Sequence, residues 1–400
     1  MMPILRPHPP RAPDASAPPA HTLLRACTRA SFDADGAAPA LAQTVASGVD
    51  WDAFLALAER NRLLPLAHRA LAERADVPET VRSHLRSAYA VNARHALQLA
   101  GELRRLLDAL DQAGVRALAY KGPALAVRAY GHLALRTYSD LDLLVRPADV
   151  PTAEGVLRTH GYVSTYHFTP AQDAAFRRVD GDYPYHHPRT GGLVELHGRV
   201  SSTRFVAELP TERLMARARP VPIGGGDVPA PADDDLFLAL CLHGAKHRWA
   251  RLEWLACAAA LAVRAAVDLS AVLRRAGEAG ARRATLLALL LARDALGLAL
   301  PADVEASIET DQSLDALAAE ARGLWFADDV DTDEATPANL RFNARLMDGP
   351  SQRARYAARW LFLPSPEDWT WVRLPDALAP LYRVLRPLRL AARYGRRRGG

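Results

Sequence analysis

The feature that most constrains this chain is an acidic pair inside an apolar run, Ser139-Asp140-Leu141-Asp142-Leu143-Leu144-Val145. Alternation of acidic and apolar residues is typical of a β-strand, in which residues two apart point to the same face. Asp140 and Asp142 would therefore share one face, while Leu141 and Leu143 share the other. Two adjacent carboxylates repel each other unless a cation lies between them, and such ligands suit Mg²⁺ held together with substrate phosphates. A solvated strand face explains the same spacing equally well.

A glycine turn and a further acidic strand flank the Asp-x-Asp run. Val115–Tyr120 has the apolar character of a short strand, and it ends at Lys121-Gly122-Pro123, before a helical stretch that runs to about Tyr130. A glycine turn at a helix N-terminus offers backbone N–H groups and the positive end of the helix dipole to a phosphate. In a later strand-like run, Glu195 and His197 lie two residues apart and so share one face. The sequence thus predicts a phosphate-binding turn and a third carboxylate.

The order of these elements resembles the polymerase-β-type nucleotidyltransferase superfamily. The order is a strand, a glycine turn, a helix, the Asp-x-Asp strand and a later acidic strand. Four motifs resemble more closely the bacterial "uncharacterised nucleotidyltransferase" family. They are Tyr120-Lys121-Gly122, Arg136-x-x-Ser139-Asp140-Leu141-Asp142, Glu195-Leu196-His197 and His243-Gly244-Ala245-Lys246-His247-Arg248-Trp249. The resemblance covers roughly residues 48–260.

The resemblance implies an enzyme that transfers an NMP group from an NTP to an acceptor and releases pyrophosphate. Asp140, Asp142 and Glu195 would be its catalytic and metal-binding acids, with Mg²⁺ or Mn²⁺ as cofactor, and Glu195 would complete the metal pair or deprotonate the acceptor. The implied substrate- and phosphate-binding residues are Lys121, Gly122, Arg136, Ser139, His243, Lys246 and His247. The acceptor stays open among a small molecule, a glycan, a peptide and RNA, and no DNA is predicted.

The chain departs from the family pattern at three positions. The third acid of the family is often an Asp followed by Leu-His-Trp, whereas this chain has Glu195 and then Gly198 in place of the Trp. Cys257 stands where an Asp is usual, and Pro123 follows the turn glycine instead of a Ser. Two other functions therefore stay open. One is a catalytically silent nucleotide- or peptide-binding accessory protein of a natural-product or polysaccharide gene cluster, and the other is a toxin–antitoxin-type nucleotidyltransferase acting on RNA or protein.

The composition supports a bacterial, cytoplasmic protein with an anionic ligand. Only two lysines occur, Lys121 and Lys246, so 48 of the 50 basic residues are Arg, a bias typical of high-GC bacterial genomes. Both lysines fall inside the motifs, where a compact point charge suits a phosphate. The three cysteines have neither metal-binding nor disulfide spacing, which favours a reducing compartment. The first 21 residues lack the apolar core of a signal peptide, and we expect a cytoplasmic location.

The predicted fold class is α/β in the α+β sense, with a small mixed nucleotidyltransferase-type sheet and flanking helices. Leu- and Ala-rich helical patterns precede and follow the strand-rich segment. The predicted regions are a disordered segment at 1–45, a helical region at 46–114, the α/β core at 115–232, a helical region packing on that core at 233–300, and a C-terminal helical region with a basic tail at 301–400.

The C-terminal region has two charged segments, one acidic and one basic. Asp328–Glu334 lacks the mid-loop Gly of a calcium loop and is interpreted as a solvated acidic loop. Arginines recur every third residue within Leu374–Leu390, and Pro380 and Pro387 would cut a helix there short. Such a basic stretch can contact an anionic membrane weakly, bind nucleic acid or form a solvated tail. The arginines concerned are Arg383, Arg386, Arg389 and Arg396–Arg398.

Overall fold

The computed structural model describes residues 17–327 and 330–395. Within the described residues, five helices precede the first strand, and the fifth is 34 residues long. Their bounds are α1 Pro19–Arg29, α2 Ala34–Ala46, α3 Trp51–Arg60, α4 Leu64–Leu71 and α5 Glu79–Gln112.

Helices α1 and α2 lie in the segment for which we predict disorder. Leu23 and Leu24 of α1 are fully buried, and α1 packs against α2, α3 and α4. Asp33 caps α2, because its side chain accepts a hydrogen bond from the backbone N–H of Gly36. The prediction of disorder over 1–45 is therefore wrong for residues 19–45, where apolar residues at helical spacing outweigh the Pro- and Ala-rich composition. Residues 1–16 lie outside the described residues.

A five-stranded mixed sheet follows, in the order β1-β2-β5-β4-β3. Strands β2 and β5 are parallel, and every other neighbouring pair is antiparallel. Together with the flanking helices, this sheet confirms the predicted α+β class. The strands are β1 Ala117–Ala119, β2 Asp140–Val145, β3 Val163–Ser164, β4 Asp182–His186 and β5 Leu193–His197.

The two faces of β2 have different surroundings, as period-two alternation requires. Leu141 and Leu143 belong to an apolar cluster with Val194 of β5 and five leucines in the C-terminal half of α5. Asp140 and Asp142 lie on the opposite face. The helices that follow β1 and β2 are α6 Gly122–Tyr130 and α7 Val150–Thr159.

A second, two-stranded sheet is closed by a glycine turn. Gly224 and Gly225 connect its antiparallel strands with φ of +58° and +85°, a backbone region in which side chains with a Cβ are strained. This hairpin lies beside α6 and β1. The elements of this part are α8 Pro170–Val179, α9 Thr211–Ala216, β6 Arg219–Ile223 and β7 Gly226–Ala230.

Six helices form an apolar body next to the acidic face of the sheet. Helix α10 is buried along most of its length and packs against α11 and α13, while α11 packs against α6. Within the described residues, no helix is both long and apolar enough to cross a bilayer. The helices are α10 Asp233–Lys246, α11 Leu252–Arg264, α12 Leu269–Glu278, α13 Arg282–Leu296, α14 Ala302–Thr310 and α15 Ser313–Leu324.

Four further helices close the C-terminal region: α16 Pro337–Leu346, α17 Pro350–Phe362, α18 Pro366–Trp371 and α19 Tyr382–Gly395. Pro387 lies inside α19 and does not end it. Arg386 and Arg389 are buried and form ion pairs with Asp368 of α18. A membrane- or nucleic-acid-facing role is therefore wrong for these two arginines, because both are buried and paired with a carboxylate inside the protein. Arg383 is exposed, and the basic run 396–398 lies outside the described residues.

Candidate active site

A cavity of about 400 Å³ opens on the acidic face of the five-stranded sheet, between the sheet and α10. Gly122 is not part of its wall; it begins α6 directly after Lys121, with φ of +51°. The other nine predicted site residues all line the cavity: Lys121, Arg136, Ser139, Asp140, Asp142, Glu195, His243, Lys246 and His247.

The register of the strands brings the acids together. Asp142 of β2 is the partner of Glu195 in the parallel strand β5. His197, two residues further along β5, is the partner of Asp182 in β4. Because residues two apart share a face, all of these side chains project into the same cavity as Asp140.

Asp142 is the centre of a buried charge network. The Nζ atom of Lys121 lies 3.2 Å from its Oδ1 atom, and the Nε2 atom of His197 lies 2.9 Å from the same oxygen. The Nδ1 atom of His197 lies 2.9 Å from Oδ1 of Asp182. Burial alone would lower the pKa of His197, but Asp182 and Asp142 outweigh it and raise that pKa to about 10. Burial opposes ionisation of Asp142, yet Lys121 and His197 hold the pKa of its carboxyl well below the usual range.

Asp140 and Glu195 differ from Asp142, because the pKa of each of their carboxyl groups is raised. The side chain of Asp140 has no hydrogen bond or ion pair with any of the described residues, and burial and the nearby Asp142 carboxylate raise its pKa. Burial and Asp142 likewise raise the pKa of Glu195, against the opposing effect of His197. Acids whose ionisation is disfavoured by burial and by one another fit a site that gains a divalent cation.

The ligand atoms that lie closest together differ from the predicted metal set. Asp142, Glu195 and His197 each offer one ligand atom, and these atoms lie within 4.8 Å of one another. Asp140 lines the same cavity but does not belong to that group. The i, i+2 spacing of Glu195 and His197 on one strand face was the sequence signal for the histidine.

Arg136 is held by a partner that the sequence does not indicate. Its Nε atom lies 2.8 Å from Oε1 of Glu253, and both side chains are buried. Cys257 donates a hydrogen bond from Sγ to the same Glu253 oxygen, at 3.2 Å. Glu253 thus places a carboxylate one helical turn before the position at which Cys257 replaces the usual Asp.

Lys246 is paired as well. Its Nζ atom lies 2.7 Å from Oε1 of Glu334 and 4.0 Å from Oδ2 of Asp182. Glu334 belongs to the acidic run that we interpret as a solvated loop, and for this residue the interpretation is wrong. The backbone oxygen of Thr332 lies 3.3 Å from Nδ1 of His247, which helps hold the loop against α10.

The comparison with protein families agrees with this geometry. Residues 47–297 match the model of a family described as "uncharacterised nucleotidyltransferase", which covers more than half of the chain and every predicted site residue. The chain belongs to this family. No curated protein and no solved structure matches it significantly. Family membership supports a general nucleotidyltransferase role for the chain, and the region after residue 297 lies outside the matched part.

His243 of α10 and His247, the residue after its end, form a neutral aromatic wall in the cavity. Burial and the neighbouring Lys121 lower the pKa of His243 well below its usual value, and burial and Lys246 lower that of His247 to about 3. Their rings lie 4.9 Å apart and 5.3 and 5.2 Å from the ring of Trp254. At neutral pH this wall therefore presents uncharged rings.

Two arginines that the motifs do not include complete the cavity. Arg62 and Arg251 both line it, and neither guanidinium has an ion pair with a carboxylate of the described residues. Burial and the proximity of Arg62 lower the pKa of Arg251, which stacks over Trp254 at 5.6 Å. Arg62 has a φ of +57°, a strained conformation for a residue with a Cβ. Two neighbouring arginines without an ion pair to a described carboxylate fit a site for an anion.

Proposed function

We propose that this chain transfers an NMP group from an NTP to an acceptor and releases pyrophosphate. The observation that carries the proposal is that acidic and basic side chains line separate parts of one cavity. Asp140, Asp142 and Glu195 lie on one sheet face, while Arg62 and Arg251 line the same space without an ion pair to any described carboxylate. The acids suit a divalent cation and the arginines suit a triphosphate, which is the combination that a metal–nucleotide complex requires.

The three acids would hold Mg²⁺ or Mn²⁺. A divalent metal pair would supply acidity to the attacking oxygen and charge neutralisation to the leaving pyrophosphate. Glu195 is 44% exposed and carries a raised pKa, which supports it as the residue that takes the proton of the acceptor. Protonated His197, fixed by Asp182, holds Asp142 in position.

The basic residues would have different roles in binding the nucleotide. Arg62, Arg251 and Lys246 would contact the triphosphate, and the backbone turn at Gly122 would add N–H groups at the start of α6. Lys121 would keep its ion pair with Asp142, at 3.2 Å, and would thereby reduce the negative charge of the metal site. The neutral wall of His243 and His247 would face the uncharged part of the substrate, with Ser139 and Arg136 at the β2 edge.

The remaining assignments follow from this activity. Residues 115–232 would form the catalytic core, 46–114 and 233–300 would support it, and 301–400 would contribute a separate C-terminal region. The three cysteines are free and buried, which supports a reducing, cytoplasmic compartment.

The binding step of this proposal is tested by titrating the protein with a non-hydrolysable α,β-methylene NTP in the presence of Mn²⁺. We expect Asp140→Asn to weaken binding by about tenfold or more, since a hydrogen bond to a charged group contributes about 1.5–3 kcal/mol. Asp108→Asn, an exposed change on α5, is the matched control and should bind like the unaltered chain. Equal affinities for all three proteins would refute the site, and absence of binding to the unaltered chain would refute the function.

A further inference from the structure

A second and larger cavity adjoins the catalytic one. Its volume is about 770 Å³, within the range of pockets that bury small molecules. The two cavities share part of their walls, including Asp182, Lys246 and Glu334. Asp182 is the residue that fixes His197 of the candidate metal site, so the larger cavity, here called the C-terminal chamber, reaches the catalytic centre.

The wall of the C-terminal chamber is largely apolar and aromatic. Tyr166 and Phe176 contribute from the sheet side, and Leu340, Trp360 and Leu361 contribute from α16 and α17. Such a surface favours a ligand with an apolar body, because burial of apolar area is worth about 25 cal/mol per Å². Helices α16 to α19 lie after residue 297, so the part of the wall that they form is outside the segment that matches the family.

The charged residues of the chamber are largely neutralised within the protein. Arg204 is buried and its Nε atom lies 3.3 Å from Oδ1 of Asp180. Arg386 and Arg389 share Asp368, whose Oδ2 atom lies 2.7 Å from Nη1 of Arg386. A nucleic acid requires a row of basic groups open to phosphates, and these arginines already have carboxylate partners.

We propose that the C-terminal chamber binds the acceptor, and that the acceptor is an uncharged small molecule with an apolar ring or alkyl body and a hydroxyl group. This inference rests on the proposed nucleotidyl transfer. The hydroxyl would enter the catalytic cavity past the Lys246–Glu334 pair. Its oxygen forms a bond to the α-phosphorus of the NTP, the bond from that phosphorus to the bridging oxygen breaks, pyrophosphate leaves, and the proton passes to Glu195.

A pair of adjacent alanines on α17 tests the chamber without reference to catalysis. Ala357 lines the chamber and Ala358 does not, and both are exposed. We expect the unaltered chain and Ala358→Trp to bind the neutral apolar dye Nile red, whereas Ala357→Trp should bind it about tenfold more weakly or worse, because the indole fills the space. Equal binding by both variants, or no binding by the unaltered chain, would overturn the proposal.

The acceptor class is tested with an α-labelled NTP and Mn²⁺. Neutral phenols and long-chain alcohols form one pool, sugars a second, and RNA and peptides a third and a fourth. We expect label only in the first pool, with transfer reduced by about tenfold in Ala357→Trp and binding of the metal–nucleotide analogue unchanged. If the label appears in another pool and Ala357→Trp does not reduce that labelling, the acceptor assignment is overturned, but nucleotidyl transfer is not. Failure of the unaltered chain to bind the metal–nucleotide analogue overturns the proposed function instead, while the Nile red result still decides the chamber.

Discussion

The two acids of β2 differ in their surroundings, and replacing each by its amide should therefore have opposite effects on stability. Asp142 neutralises Lys121 and protonated His197 in a buried setting. Asp140 has no ionic partner among the described residues and carries a raised pKa, caused by burial and by Asp142. Asp142→Asn should lower the free energy of unfolding, whereas Asp140→Asn should leave it unchanged or raise it.

The magnitude for Asp142→Asn follows from the charges that the change leaves behind. Lys121 would stay in the cavity wall without its carboxylate partner, and His197 would keep Asp182 but lose the other of its two carboxylate partners at 2.9 Å; Asp142 itself is only 6% exposed. Breaking a buried ion pair by removing one partner costs about 3–5 kcal/mol. Asp140→Asn removes no such partner and relieves repulsion between the two carboxylates.

The measurement is urea unfolding at neutral pH in the presence of a chelator, followed by the same titration with Mn²⁺. At a concentration 100 times its dissociation constant, a ligand adds about 2.7 kcal/mol to stability, so Mn²⁺ should stabilise the unaltered chain more than either variant. If Asp142→Asn unfolds at the same urea concentration as the unaltered chain, or if Asp140→Asn is equally destabilised, the assignment of Asp142 as the centre of the network is refuted.

Three further changes test other parts of the site. Glu195→Gln should reduce turnover far more than the affinity for the metal–nucleotide, because proton transfer is needed only in the transition state; parallel rate and calorimetric titrations measure both, and equal losses would contradict it. Arg251→Ala should weaken NTP binding by about 1.5–3 kcal/mol without affecting nucleoside binding, while Arg274→Ala, an exposed change on α12, should alter neither in the same titration. Glu253→Gln should lower the free energy of unfolding by about 3 kcal/mol, because it leaves Arg136 buried without its carboxylate; an unchanged urea midpoint would contradict this.

Local periodicity accounts for the parts of the fold that the sequence predicts well. The alternation in β2 is set within six residues, and the turn at Gly122 followed by α6 is signalled by residues adjacent in the chain. The error at α1 arises for the opposite reason. Leu23 and Leu24 are buried in a helix that packs against α2, α3 and α4, and composition alone does not report such contacts.

The partners of the site residues are the least predictable part. Glu334 lies 88 residues after Lys246, yet their charged atoms are 2.7 Å apart. Glu253 similarly joins Arg136 from another helix. These pairings depend on how α10, α11 and the C-terminal loop pack on the sheet, so spacing in the sequence carries no signal for them. His197 is different, because its strand face could be inferred from Glu195.

The fate of a label on the nucleotide tests the central proposal most directly. The unaltered chain is incubated with Mn²⁺, a cell extract and an NTP labelled either at the α-phosphate or at the γ-phosphate. Nucleotidyl transfer predicts that the α-label appears in an acceptor while the γ-label appears in pyrophosphate, and that Asp140→Asn abolishes both. Transfer of the γ-label to an acceptor, or no transfer of either label, would contradict the account.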